Sequence, residues 1–278
     1  MTTDIGQIVW QPSSQKIQKS FMTKFAQFVS DIESKDLLKW NDLHQWSVEH
    51  PGKFWRYCAK FVDIKWRKKP NSRPQEETSI DKKFSSLNDW LQEKTHWFEG
   101  AKLNFAENIL PQPNDSQVLV SVKEGIGRTS LTAKELWNQV ACCALSLQKA
   151  GVKKGDRVAG VLSNSYEAII AMLATTSLGA IWSSCSPDFG VGGIVDRLAQ
   201  ISPKILFFSS SYHYNGKVFS CHQTLRECLP LLPSLEVVIQ TDILYEKMTP
   251  TFHKDPKYPN LIAWQDFVNF TNCFGQNF

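Results

Sequence analysis

Two stretches of small polar residues carry the side chains best suited to gripping a ligand. Residues 183–190 read SSCSPDFG and residues 209–217 read SSSYHYNGK, and each follows a short apolar run. Where such runs are parallel strands, loops at their carboxyl ends are the places where helix N-termini and unpaired backbone amides converge on a ligand. The candidates there are Ser186, Pro187 and Asp188 in the first stretch and Tyr214, Asn215, Gly216 and Lys217 in the second. The same residues have a plainer use, because Pro187-Asp188 can cap a helix and Asn215-Gly216 can simply turn the chain. Both uses stay open on these features. Motifs with a chemistry of their own are missing: there is no G-x-x-x-x-G-K-[ST] loop, G-x-S-x-G elbow, H-E-x-x-H or EF-hand pattern, and Gly190-Val191-Gly192-Gly193 is too weak a glycine pattern to mark a dinucleotide site.

The elements that must position these loops follow from periodicity. Val118 to Val122 is a short apolar run, and Thr132-Ala133-Lys134-Glu135 is a capping box opening a helix whose apolar face is Leu136, Val140, Cys143, Ala144 and Leu147. Gly151 stops that helix with the φ > 0 residue a helix C-terminus favours. Strands are predicted at residues 157–162, 180–183 and 204–208, with a further one at 236–239. Helices fall between them at 165–178 and after Asp188, the latter carrying Val191, Ile194, Val195, Leu198 and Ile201. This alternation predicts a parallel sheet with βα crossovers. Before it lies an aromatic-rich region, with Ile17, Phe21, Phe25 and Phe28 at helical spacing and a second cluster at Trp46, Phe54, Trp55, Cys58 and Phe61. Two or three packed helices are expected there, their aromatics serving as core. Pro111-Gln112-Pro113-Asn114-Asp115 is the best boundary. The expected organisation is a helical segment over 1–110 and an incomplete α/β unit over 111–278.

Of the 278 residues, 42% are hydrophobic and 21% charged, which excludes disordered and low-complexity classes. The net charge of +4 gives little general attraction for nucleic acid or anionic lipid. The basic cluster Lys65, Arg67, Lys68, Lys69 and Arg73 is interrupted by Pro70 and Pro74 and reads as a solvated loop. Seven cysteines, two of them adjacent at Cys142 and Cys143, form neither a paired framework nor a C-x-x-C pattern, so reduced thiols in a cytosolic protein are expected. The first residues lack the apolar core of a secretory signal, and residues 168–187, though uncharged, are too rich in Ser and Thr for a spanning helix. The triplets at Asn114 and Asn269 match the glycosylation pattern, as short patterns do by chance.

A more specific signal lies in four blocks: WFEGAKLNFAEN at residues 97–108, Gly155-Asp156-Arg157-Val158, LGAIWSSCSPDFG at residues 178–190, and Asp196-Arg197. Together they resemble the acyl-adenylate-forming enzymes. The W-F-x-G-x-x-L-N block resembles the acetyl-CoA synthetase-like branch, and S-P-D-F-G the acetoacetyl-CoA synthetase group within it. The resemblance runs from about Val9 through Lys217 and on to about Phe267, which by the family's standard is less than half of a full enzyme.

The resemblance implies a fold, a reaction and contacts. The fold is part of the large N-terminal α/β domain of an adenylate-forming enzyme. In the reaction, acetoacetate and ATP give acetoacetyl-adenylate and pyrophosphate with Mg²⁺, and the CoA thiol then releases AMP. The family's Ser/Thr/Gly-rich phosphate loop, ribose-gripping residues and C-terminal lysine have no counterpart in these residues, so no catalytic residue is expected here and the chain alone is expected to be inactive. What carries over is the CoA side, through Ser186, Pro187 and Asp188 and through Tyr214, Asn215, Gly216 and Lys217. An ammonium at Lys217 suits a CoA phosphate as a flexible point charge, and Asn215-Gly216 lets the backbone approach it closely. Relatives outside the acetoacetate group carry Arg at the positions of Tyr214 and Lys217. The expected partner is the small molecule acetoacetate, with no nucleic acid and no membrane, and nothing in the sequence sets an oligomeric state. Two other readings stand beside this one: a short-chain acyl-CoA synthetase for another acid, and a non-catalytic protein that binds CoA or a partner chain.

Overall fold

Ser20 decides how the chain begins. In the computed structural model, which describes residues 8–71, 98–241 and 260–268, its amide closes helix α1 (Ser14–Lys19) and its hydroxyl accepts from the Thr23 amide at 3.1 Å to open α2 (Phe21–Glu33). The helical spacing of Ile17, Phe21, Phe25 and Phe28 therefore crosses a break. Ile17 and Phe21 stay 46% and 77% exposed instead of joining the core, while Phe25, Ala26 and Val29 are buried. Helices α3 (Trp40–Glu49) and α4 (Pro51–Phe61) bring the helices of residues 8–71 to four, where two or three were expected in the whole aromatic-rich segment. Pro51 starts α4 at a position where its missing N–H costs nothing. The core is Phe25, Val29, Leu37, Leu43 and Trp46, ringed by Phe28, Phe54, Tyr57 and Phe61. Trp55 is the exception to the expected cluster and points outward. Trp46 stacks on Tyr57 at 6.0 Å, and the Tyr57 hydroxyl donates to Glu33 at 2.7 Å.

Within the basic stretch, Trp66–Lys68 is a strand, β1, antiparallel to β2 (Lys102–Leu103), so part of the expected loop is paired backbone. Arg73, Pro74, Trp97, Cys273 and the Asn269 triplet lie outside the described residues.

The chain divides into two compact units, Met1–Leu103 and Asn104–Phe278. The division falls upstream of the Pro111 to Asp115 turn, because Asn104 opens α5 (Phe105–Ile109) and ties it into the second unit. Its side chain caps the Glu107 amide at 3.1 Å and donates to the last carbonyls of the helix at Tyr166–Ser177, those of Thr176 and Ser177, at 3.1 and 3.0 Å.

In the second unit, β3 (Gln117–Lys123) pairs antiparallel with β4 (Gly127–Thr132). The run at Val118 to Val122 is thus not a strand of the parallel sheet. Val118, Val120 and Val122 are exposed, whereas a parallel strand is covered on both faces. The capping box forms as expected: Thr132 accepts from the Glu135 amide and Glu135 accepts from the Thr132 amide at 2.7 Å, opening α6 (Ala133–Lys149). Leu136, Val140, Cys143, Ala144 and Leu147 are its buried face, and Gly151 follows at φ +81°.

The strands β5 (Arg157–Val161), β6 (Ile181–Cys185), β7 (Ile205–Ser209), β10 (Val237–Thr241) and β11 (Asn260–Ala263) make a parallel sheet in the order β11-β10-β7-β5-β6. Helices α6, α7 (Tyr166–Ser177) and α10 (Trp264–Phe267) bring their apolar residues to one core, and α8 (Val191–Leu198) and α9 (His222–Cys228) bring theirs to another. Strand β7 is buried throughout and splits between them, with Ile205 and Phe207 in the first and Leu206 and Phe208 in the second. That alternation places the sheet between two helical layers, the arrangement in which the carboxyl edge of the strands stays open to ligands.

Candidate functional site

Hydroxyl groups fasten the carboxyl edge of the sheet. The Ser163 amide, just past β5, donates to Ser209 Oγ at 2.9 Å, and Ser209 Oγ lies 3.3 Å from Thr241 Oγ1 at the end of β10. The Ser210 amide donates to the Thr241 carbonyl at 3.0 Å. Three adjacent strand ends are therefore cross-linked by short polar contacts, which hold the following loops in register.

The loop after β6 turns at Pro187 and Asp188. Pro187 is buried and wedges the turn, while Ser186 and Asp188 are exposed. Asp188 does not cap α8. The N-cap is Gly190, without a side-chain hydrogen bond, and the helix starts two residues later than the Asp188 reading requires. Arg197, on the next turns of α8, lies 4.5 Å over the Phe189 ring and donates to the Gly193 carbonyl at 2.7 Å, so S-P-D-F-G is braced from its own helix. Burial pushes the Cys185 thiol up and the Asp188 charge adds to this, against the opposing pull of Arg197. It stays protonated, a packing group with no thiolate character.

Residues 209–217 are not one loop. They form a hairpin, β8 (Ser211–Tyr214) and β9 (Lys217–Ser220), with Tyr214 opposite Lys217. Asn215 and Gly216 are its two-residue turn, at φ 51° and 71°. Both central residues in the left-handed region is the turn that matches strand twist, and Asn-Gly is its preferred pair. The hairpin was written in the sequence by that dipeptide between Tyr212 and Phe219, whose rings stack at 5.1 Å. Tyr214 is 68% exposed and Lys217 is exposed, with no ion pair or hydrogen bond to its side chain among the described residues.

The turn amides do have a partner, and sequence reasoning missed it. The Asn215 amide donates to Glu124 Oε2 at 3.1 Å and the Gly216 amide to Oε1 at 2.6 Å, so both oxygens of one carboxylate sit on two successive N–H groups. Glu124 comes from the β3–β4 turn, and between the two hairpins lies a cleft of about 230 Å³ lined by Lys123, Glu124, Ser163, Asn164, Tyr212 and His213 among others. Burial, then the Cys221 and Asp188 charges, raise the Tyr212 hydroxyl's affinity for its proton, which brings the two candidate loops within electrostatic reach of one residue. Among the described residues no hydrogen bond or ion pair joins Ser186, Pro187 or Asp188 to residues 214–217. They flank β5 from the ends of β6 and β7 respectively.

A doubly covered parallel sheet with polar loops on its carboxyl edge is a nucleotide-handling architecture, and the comparisons with known proteins agree. The AMP-binding enzyme family profile matches residues 105–268, and the profile of the acetyl-coenzyme A synthetase N-terminus matches residues 40–109. The chain belongs to the AMP-binding enzyme family. It is 37% identical over 265 residues to an acetoacetyl-CoA synthetase of Gallus gallus, covering 95% of this chain and 37% of that protein. It is also 37% identical to a malonamoyl-CoA synthetase of Penicillium aethiopicum, over 84% of this chain and 31% of the other. Among solved structures it resembles an acetoacetyl-CoA synthetase from Streptomyces lividans at a TM-score of 0.76 and 29% identity, covering 95% of this chain and 38% of that one. The chain thus spans little more than a third of the length of the relatives it matches.

Proposed function

We propose that these residues are the N-terminal portion of an AMP-forming acetoacetate–CoA ligase, which joins acetoacetate to CoA at the expense of ATP. The observation that carries the reading is the likeness to acetoacetyl-CoA synthetases along 95% of the chain. The role of this portion is on the CoA side. Ser186, Pro187 and Asp188 would border the CoA nucleotide after β6, and Tyr214, Asn215, Gly216 and Lys217 would meet it at the hairpin tip. A fit to a phosphate is supported by the turn amides, which already donate to both oxygens of the Glu124 carboxylate. Lys217 follows them in sequence, its side chain without a hydrogen bond or ion pair among the described residues. Among the described residues no group of three or more His, Cys, Asp or Glu is placed to hold a metal. The free state of all six described cysteines supports a cytosolic setting. No helix among the described residues is long and apolar enough to cross a membrane.

The test is acetoacetate-dependent exchange of pyrophosphate into ATP and formation of acetoacetyl-CoA by the protein with its full complement of family motifs. These 278 residues alone should give no exchange above a no-protein control, because oriented phosphate donors of the family's loop are not among them. A second reading, a ligase for a different short acid, is favoured by the equal identity to the malonamoyl-CoA synthetase. A full-length protein that makes malonamoyl-CoA or acetyl-CoA readily and acetoacetyl-CoA poorly would select it.

A further inference from the structure

The turn of the β8–β9 hairpin holds an anion already, and that anion belongs to the protein. We infer that the Glu124 carboxylate occupies the seat of an incoming phosphate group and must be displaced when the phosphate binds, so that Glu124 sets the affinity of the hairpin tip. The inference rests on the CoA-side reading of this hairpin and adds to it the residue that opposes binding.

Three features carry it. Asn215 and Gly216 both have positive φ, so their amides point to the same side, and each bonds a different oxygen of one carboxylate, at 3.1 and 2.6 Å. Two converging amides on two oxygens is the recognition a phosphate also satisfies. The contact is long-range, 91 and 92 residues apart in sequence. The Glu124 turn lies close against β8, since a Cβ on its neighbour Gly125 would come within 3.5 Å of the His213 ring. Lys217, whose ammonium would complete a phosphate site, has no ion pair or hydrogen bond to its side chain among the described residues, Glu124 included. A carboxylate and a phosphate cannot share the two amides, and their like charges repel, so every bond the phosphate gains there replaces one lost to Glu124.

The test compares this full chain with its Glu124→Gln and Lys217→Ala variants. The glutamine keeps size and shape but has one acceptor oxygen and no charge. The probes are inorganic phosphate, CoA and dephospho-CoA, and the readouts are calorimetric Kd values and the Gly216 amide resonance in a ¹⁵N-glycine sample. The expected result is that phosphate moves the Gly216 amide in Glu124→Gln at about tenfold lower concentration than in the unmodified chain. CoA should tighten by about the same factor, with dephospho-CoA unchanged, if the 3′-phosphate is the group that takes the seat. Tightening of both nucleotides alike places the diphosphate there instead and equally supports displacement. If phosphate leaves the Gly216 amide unmoved in both chains, the turn is not an anion seat and the inference is overturned. If CoA binds and Lys217→Ala weakens it while Glu124→Gln changes nothing, the CoA-side reading stands and displacement falls. If Glu124→Gln gains phosphate at Gly216 while no chain binds CoA, the seat stands and the CoA-side reading falls.

Discussion

Gly160 and Trp182 meet across neighbouring strands: a Cβ on Gly160 of β5 would stand 2.8 Å from two carbons of the Trp182 indole on β6. The ring fills the space a side chain would take, and it is itself held by Phe207, 6.0 Å away on β7. Gly160→Ala is expected to destabilise the second unit by about 1–3 kcal/mol, the usual cost of overpacking a core that cannot yield. Chemical denaturation measures it. The double variant Gly160→Ala, Trp182→Leu should recover part of the loss, and equal costs in both backgrounds would show that the ring is not the obstacle.

On the proposed CoA-side reading, Lys217→Ala in a full-length protein should raise the KM for CoA and leave pyrophosphate exchange near normal, since in the proposed reaction the adenylate forms before CoA is used. A charge-assisted contact in a dry site contributes about 1.5–3 kcal/mol, but Lys217 is exposed at the start of β9, and solvent screening leaves about 1 kcal/mol, or about fivefold in KM. Collapse of exchange with an unchanged KM would assign Lys217 to ATP or to the fold.

Thr132→Ala removes the hydroxyl that accepts from the Glu135 amide at 3.2 Å at the start of α6. The loss should be about 1 kcal/mol in thermal or denaturant unfolding, with Thr132→Ser nearly neutral because it keeps the acceptor. An equal loss in both variants would point to the methyl group instead.

Acid should loosen the helical unit through Glu33. Burial acts to raise this carboxyl, but the hydrogen bonds from Tyr57 at 2.7 Å and from Lys53, with the Lys53 charge, outweigh it and hold it below the ordinary range. A lowered folded-state value gives stability that is full above the carboxylate's ordinary titration and lost as pH falls through the lowered one. The melting temperature should therefore drop more on acidification in the unmodified chain than in Glu33→Gln. Parallel curves for the two would remove Glu33 from the acid response.

What could be read from sequence was what is decided locally. The Thr132–Glu135 box, the stop at Gly151, and the apolar runs of β5 and β7 depend on residues within a turn or two of one another. The failures share a different cause. Ile17 to Phe28 keeps a helical period straight across Ser20, and only the serine's hydrogen bond to Thr23 shows that two helices are present. Asp188 is a sound helix-capping residue, yet the wedge of buried Pro187 carries the chain past it and leaves Gly190 at the cap. Glu124 sits in an unremarkable turn between two strands, and nothing near it in sequence reports that its carboxylate ends on a hairpin 91 residues away.

Both legs of the β8–β9 hairpin are anchored at one residue. Ser210 donates its amide to the Thr241 carbonyl at 3.0 Å and accepts the Cys221 amide at 2.9 Å, so the root is bolted to the rim of the sheet while the Asn215-Gly216 tip projects from it. Mechanically this is a beam clamped at its root and tied at its tip to Glu124. A load at the tip cannot be absorbed by the two strands sliding, because they share one clamp, and it arrives as a bending moment on β7 and β10. Exchange rates of the Ser210 and Cys221 amides would then act as a strain gauge, reading loss of the Glu124 contact at the tip from protons that lie at the root.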